Sequence, residues 1–255
     1  MDRAAAPRLS LLGGWRLELP DGPAGHSGAG HNGHRAEPVP PAMQRLIALL
    51  AARGRSERRT VARTLFAGRP DDVAAARLRD TLSRLRHRYP RLAELIDTEP
   101  DLCLTATLQV DLLDLDAVIG SCARGEVGAL EALEQLAPAP ADLDLLPGWY
   151  DDWVCLERER LRSKVSRALC RHSGLRLRVG DAAGALASAE WAGRLDPFDE
   201  VAARWQIRAH LRFGDDALAV RRYVELRDRL GRELSVEPDP ATAALLPTAL
   251  SLGRS

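Results

Sequence analysis

Between Arg77 and Arg91 the chain sets six arginines against a single acid, Asp80. The segment V-A-A-A-R-L-R-D-T-L-S-R-L-R-H-R-Y-P-R (73–91) places Leu78, Leu82, Leu85 and Tyr89 at steps of four, three and four, the spacing of a helix with one buried stripe. At about 100° per residue, Arg77, Asp80, Ser83, Arg84, His87 and Arg91 fall on the side opposite that stripe. Exposed helices ordinarily interleave both signs for i,i+4 support, and this face does not. Its chemistry suits a polyanion, because the planar guanidinium fork holds guanine O6 and N7 together. The expectation is recognition of double-stranded DNA, weighed against the bland alternative of a solvated charged surface.

The charge distribution supports the same expectation. The 255 residues carry 36 basic and 36 acidic side chains, yet Pro41–Leu92 holds thirteen arginines against four acids, a local net of +9. The remainder must then sum to −9. A concentrated basic patch attracts polyanions whatever distant acids do, and an acidic remainder suits a part that faces proteins.

The basic helix needs a scaffold, and the preceding sequence supplies one. Residues 8–19, R-L-S-L-L-G-G-W-R-L-E-L, alternate apolar and polar on both sides of Gly13-Gly14, which predicts two short antiparallel strands. Residues 21–38 are rich in Gly and His and read as a mobile loop. Pro40-Pro41 opens a helix over 42–52 that stops at Gly54, and a second helix is expected over 57–66 with Ser56 as its N-cap. With the arginine helix, these make a helix-turn-helix. L-I-D-T-E-P-D-L-C-L-T-A-T-L-Q-V-D-L then predicts a hairpin with strands near 94–98 and 102–110 around Glu99-Pro100-Asp101. A helix-turn-helix followed by a hairpin is a winged helix.

From Leu112 the pattern is helical. Two short helices (112–122 and 127–136) precede a break at Pro138 and Pro140, and a long one covers about 149–177. Gly180-Asp181 recurs as Gly214-Asp215, with Ala185-Leu186 opposite Ala219-Val220. That period of 34 residues is the period of tetratricopeptide (TPR) helical hairpins. Helices are expected over 182–195, 199–213 and 217–230, the last stopped by Gly231.

Two segments resemble a known family. L-L-P-G-W-Y-D-D-W-V-C-L-E-R-E-R-L-R (145–162), with L-D-P-F-D-E and the terminal R-E-L-S-V-E-P-D-P (232–240), resembles the bacterial transcriptional activator domain (BTAD). T-L-S-R-L-R (81–86), ahead of a wing ending V-D, resembles the OmpR-like winged helix that precedes it. Together they resemble the Streptomyces antibiotic regulatory protein (SARP) family over residues 8–246. The resemblance implies a mainly α protein, with a DNA-binding winged helix in 1–110 and an all-α, TPR-like activator domain in 111–255. It implies a cytoplasmic, nucleoid-associated activator of secondary metabolism that binds promoter repeats, two protomers side by side, and recruits RNA polymerase holoenzyme. By position it carries over Arg79, Asp80, Thr81, Ser83, Arg84 and Arg86 as recognition-helix residues. The open face adds Arg77 and His87, and Arg58 and Arg63 are expected on phosphates. Three departures stand out: the loop at 21–38 is longer than usual, Asp80 puts an acid on the DNA face, and the wing turn holds no base.

Other candidates are weaker. His26, His31 and His34 could bind a transition metal, but no rigid ligand set supports them, so no metal and no cofactor is expected. Cys103, Cys122, Cys155 and Cys170 show no zinc spacing and are expected to be small buried residues in a reducing compartment. Trp149, Tyr150 and Trp153 form either a partner anchor or a core contact docking the long helix, with the second favoured. No apolar run approaches a membrane span. No P-loop, G-x-S-x-G, H-E-x-x-H or G-x-G-x-x-G is present, and an enzyme is not expected. The alternative function is an adaptor that binds proteins through the TPR-like part while its winged helix no longer reads DNA.

Overall fold

The computed structural model describes residues 6–20, 34–36, 39–137 and 143–245. The Gly/His loop, with His26 and His31, lies outside them except for the short strand noted below. The chain divides into two compact units, Met1–Asp114 with Asp144–Glu157, and Leu115–Leu143 with Arg158–Ser255.

In the first unit, β1 (Arg8–Ser10) and β2 (Arg16–Pro20) pair antiparallel with Leu9 opposite Leu17. The bend between them needs Gly13 and Gly14, at φ 70° and 143°, a region closed to most side chains. Alternation turns Leu9, Leu17 and Leu19 into the core and leaves Arg8 and Arg16 in solvent. Two more strands complete the sheet: β3 (His34–Ala36) beside β2, inside the segment expected to be a loop, and a sixth strand, Gln109–Val110, which lies within the strand expected near 102–110 but pairs parallel to β1 instead of in the hairpin.

Four helices fill the middle of this unit. Helix α1 (Pro41–Arg53) is buried on almost every side from Leu46 to Ala51, as a helix that is apolar all round must be. Helices α2 (Arg58–Leu65) and α3 (Asp71–Arg88) pack against each other and against α1. Ser56 does not cap α2. Its backbone exchanges two hydrogen bonds with Leu102, at 2.9 and 3.0 Å, and Glu57 occupies the cap position. Helix α3 stops at Tyr89, immediately before Pro90, because the residue before a proline is pushed out of helical geometry; Pro90 then opens the short α4 (Pro90–Ala93).

The wing is smaller than its alternating sequence predicts. Strands β4 (Ile96–Asp97) and β5 (Cys103–Leu104) pair over two residues each. The Leu108 N–H then bonds the Thr105 carbonyl at 3.2 Å, and this turn sends β6 (Gln109–Val110) to the other sheet. Period-2 burial continues through the turn, so the pattern does not reveal that the partner strand changes.

The same unit includes a segment far along the chain. Leu12 and Leu145 form an antiparallel bridge, and the Leu146 N–H bonds the Leu11 carbonyl at 2.9 Å. Leu145, Leu146, Trp153 and Val154 join the core formed by Leu9, Leu11 and α1. Two ion pairs reinforce this, Arg45 with Asp151 at 2.9 Å and Arg53 with Glu157 at 2.8 Å.

The second unit is helical. It takes most of α5 (Asp111–Arg124), then α6 (Ala129–Leu136), α7 (Asp152–Arg178) from Arg158 onward, α8 (Ala182–Leu195), α9 (Glu200–Phe213), α10 (Asp216–Arg229) and α11 (Pro240–Ala243). The predicted repeat is present: α8 packs on α9 and α9 on α10. Ala185 and Ala219, paired by the 34-residue period, are both buried. Asp181 caps α8 by accepting from the Gly184 N–H at 2.9 Å, and Asp199 caps α9. Gly231 does not stop the chain's helical course, which continues as a π-helical turn over Leu230–Leu234 and ends at Ser235 in the left-handed region.

Buried polar groups staple these helices together. Ser173 Oγ donates to the Ala185 carbonyl at 2.8 Å, His172 Nδ1 lies 2.7 Å from Ser188 Oγ, and Gln206 Nε2 donates to the Ala189 carbonyl at 2.7 Å. Burial holds His172 below its ordinary pKa of 6.5. A depressed folded-state pKa means that the unfolded chain takes up the proton first. His172 therefore contributes stability that is present above pH 6.5 and lost as pH falls through the lower folded value. The urea midpoint of the native protein is expected to drop between about pH 7 and 5, and less so in His172→Leu; parallel curves for the two proteins would refute this.

Candidate nucleic-acid interface

The helix-turn-helix presents α3 with one face to the core and the other to solvent. Ala74, Leu78, Leu82 and Leu85 are buried, whereas Arg77, Arg79, Asp80, Ser83, Arg84, His87 and Arg88 are exposed. Among the described residues, the side chains of Arg77, Arg79, Asp80, Ser83, Arg84 and His87 make no hydrogen bond or ion pair. The arrangement leaves an uncompensated basic stripe interrupted by one free carboxylate.

Thr81 does not belong to that stripe. It is 8% exposed, and its hydroxyl donates to the Arg77 carbonyl at 2.9 Å, the back-bond a threonine makes inside a helix. Its angular position beside Leu82 and Leu85 turns it inward, and a place in a motif carries no information on burial.

Three of the other expected contact residues already hold parts of the unit together. Arg58 Nη2 donates to the Thr98 carbonyl, and Arg86 Nη2 donates to Thr98 Oγ1 at 2.7 Å. Thr98 lies at the start of the wing turn, so α2 and α3 both grip the wing at this one residue. Arg63 forks Asp71 through Nε at 2.8 Å and Nη2 at 2.5 Å, and Arg59 adds a bond at 3.1 Å. The hydrogen bonds from Arg63 and then Arg59 hold the Asp71 carboxyl far below the usual carboxylate range. These groups are exposed, so solvent screening leaves the pairs little weight in stability. Their effect is geometric: they set α2 against the first turn of α3. The grip on Thr98 is not legible in the sequence, since a hydroxyl in a turn carries no pattern of its own. Arg91, expected on the open face, instead donates to the Pro20 carbonyl.

The aromatic cluster separates by role. Trp153 is buried in the core of the first unit, while Tyr150 is 83% exposed. Trp149 stacks on Trp15 with centroids 6.2 Å apart, and the Arg45 guanidinium sits 5.4 Å from the Trp149 ring centre. An open groove of about 660 Å³ runs along Gln44, Arg45, Trp149, Tyr150 and Asp151.

Two of the four cysteines meet the expectation of burial and two do not. Cys122 and Cys170 are buried and free, and burial pushes their thiols up to about 11 and about 12, which keeps them protonated and inert. Cys103 is half-buried and Cys155 exposed. Among the described residues no group of three His, Cys, Asp or Glu could hold a metal ion, and no helix is long and apolar enough to cross a membrane.

Asp111, in the first unit, holds the residues that follow β1. Its Oδ2 accepts from the Leu11 and Leu12 N–H groups at 2.8 and 2.9 Å, and Oδ1 is buried without a partner. Burial raises its pKa despite those two bonds.

The family model described as "Bacterial transcriptional activator domain" matches residues 122–248. A comparison with curated proteins returned no match. Among solved structures, the chain is similar to EmbR of Mycobacterium tuberculosis in complex with a low-affinity phosphopeptide, with a TM-score of 0.65 and 18% identity. That similarity covers 96% of this chain, which spans 65% of the length of the EmbR chain. At this identity the likeness speaks for the fold, a winged helix followed by TPR-like helices. The model match makes residues 122–248 a bacterial transcriptional activator domain, and the residues before it fold as a winged helix.

Proposed function

We propose that this regulator binds promoter DNA through the open face of α3 and activates transcription by recruiting RNA polymerase holoenzyme. The observation that carries the proposal is the unpaired basic stripe of Arg77, Arg79 and Arg84. Cations that satisfy nothing within the fold keep their full attraction for phosphate and guanine. DNA binding is assigned to the winged helix (1–110), activation to the acidic remainder (111–255), and the active species on DNA is two protomers side by side on promoter repeats. The place of action is the nucleoid in the cytoplasm. The family is one of regulators and not an enzyme class, and no catalytic step is proposed.

The test is an anisotropy titration against the promoter upstream of the protein's own gene at two salt concentrations. Counterion release makes a DNA contact steeply salt-dependent, and specific binding survives competitor DNA. Arg84→Ala is expected to weaken specific binding by about 1–3 kcal/mol and non-specific binding by less. Arg58→Ala and Arg63→Ala are expected to weaken both alike, since each loosens a contact that positions the wing or the start of α3, with Thr98 and Asp71, and reads no sequence. Equal losses for all three variants would refute this division of roles. Binding that is absent, or lost equally to any competitor, would favour the adaptor reading, for which the acidic wing turn and the Tyr150–Trp149 groove speak.

A further inference from the structure

Two aspartates on α3 have opposite surroundings. Asp71, in the first turn, is clamped by Arg63 and Arg59. Asp80, in the middle of the same helix, is exposed and makes no hydrogen bond or ion pair among the described residues. This holds although Arg77 stands three residues before it and Arg84 four residues after it, the spacings at which helical ion pairs form. Asp80 neither caps the helix nor neutralises a neighbour. Its carboxylate is acceptor-only and points out along the stripe that the proposed function lays against DNA.

On that face an unpaired carboxylate is unfavourable beside phosphates unless a donor meets it. The major groove offers two kinds of donor, the N4 amine of cytosine and the N6 amine of adenine. Adenine N6 lies between two acceptors that repel a carboxylate, its own N7 and thymine O4, whereas cytosine N4 has guanine O6 on one side and only a C–H edge on the other. The guanine paired with that cytosine, or a neighbouring one, offers O6 and N7 to an arginine on either side. We propose that Asp80 is a specificity-determining residue that selects cytosine in the operator by accepting from its N4 amine, with Arg77 or Arg84 taking guanine beside it. This inference rests on the DNA-binding reading of α3. Asp80 also lowers affinity for DNA lacking cytosine at that position, so it acts by rejection as much as by attraction.

The experiment is selection from a pool of random-sequence DNA duplexes by the full-length wild type, Asp80→Asn and Asp80→Ala, followed by sequencing of the bound DNA. Thermal melts confirm that both surface variants fold. The wild type is expected to enrich a motif with one column dominated by cytosine. In Asp80→Asn that column moves to adenine, because an amide pairs with both N6 and N7. In Asp80→Ala it flattens, the cytosine preference falling roughly five- to tenfold, the lower end of what one good base contact contributes, while the other columns stand. Total affinity of Asp80→Ala for random duplexes stays level or rises. If both variants enrich the wild-type motif with every column unchanged, Asp80 does not select cytosine, although DNA reading by α3 stands. If the wild type enriches no motif, the DNA-binding reading falls and this inference with it.

Discussion

Replacing Trp153 by alanine is expected to remove a large share of the first unit's stability, although the residue lies more than forty positions beyond the winged helix that it supports. Trp153 is 4% exposed and belongs to the core built on Leu9, Leu11 and α1. Truncating a buried tryptophan to alanine costs about 3–5 kcal/mol, against a total stability on the order of 5–15 kcal/mol for a domain. Its indole N–H has no partner among the described residues, so the loss is one of packing, not of a hydrogen bond. The same argument covers a fragment ending at residue 110. It lacks Leu145, Leu146, Trp153 and Val154 and leaves the sides of Leu11 and α1 that they cover open to water. Urea unfolding followed by circular dichroism is expected to show a broad, shifted transition for the fragment. A sharp transition with the midpoint of the intact protein would show that residues 144–157 are dispensable to the core.

The second large effect is expected at Glu157. Glu157 and Arg53 pair at 2.8 Å with side chains only 10% and 23% exposed, and Arg53 Nη1 also reaches Thr64 Oγ1 at 3.2 Å. Removing one member of a buried pair strands the other charge, at about 3–5 kcal/mol when burial is complete. The bond to Thr64 and the residual exposure of Arg53 bring the expected loss for Glu157→Ala to about 2–3 kcal/mol. Replacing both members with leucine is expected to cost less than either single replacement, because an apolar pair needs no desolvation of charge. A double-mutant cycle on the urea midpoint measures the coupling. Additive losses would mean that the pair does not act as a unit. This arginine also shows why a count of +9 overstates the DNA-facing charge. Arg45, Arg53, Arg58, Arg59, Arg63, Arg86 and Arg91 all have partners within the first unit.

Period and punctuation made much of the fold legible. The TPR-like helices from 182 onward lie within a residue or so of their expected bounds, because Gly-Asp turns and side-chain caps are local devices. The rotation of α3 followed from Leu78, Leu82 and Leu85. Strand β3 did not follow, since it is too short to show a period, and the alternation over 102–110 covered β6 without showing that its partner is β1, distant in the chain. The aromatic cluster was visible as a cluster, yet its division into buried Trp153, half-buried Trp149 and exposed Tyr150 depends on where the start of α7 packs.

The sequence by itself determined the class of the protein: a basic helix with one apolar stripe inside a winged helix, followed by a helical repeat. Those properties reside in spacing and composition within short windows. Only the tertiary structure decided which arginines are free. Whether a guanidinium meets Asp71, Thr98, Glu157 or open solvent depends on residues brought together from 8 to 104 positions away. No local period encodes that neighbourhood, because it is created by the packing of the core beneath it. The same packing left Asp80 without a partner and made it the one acid on the face open to DNA.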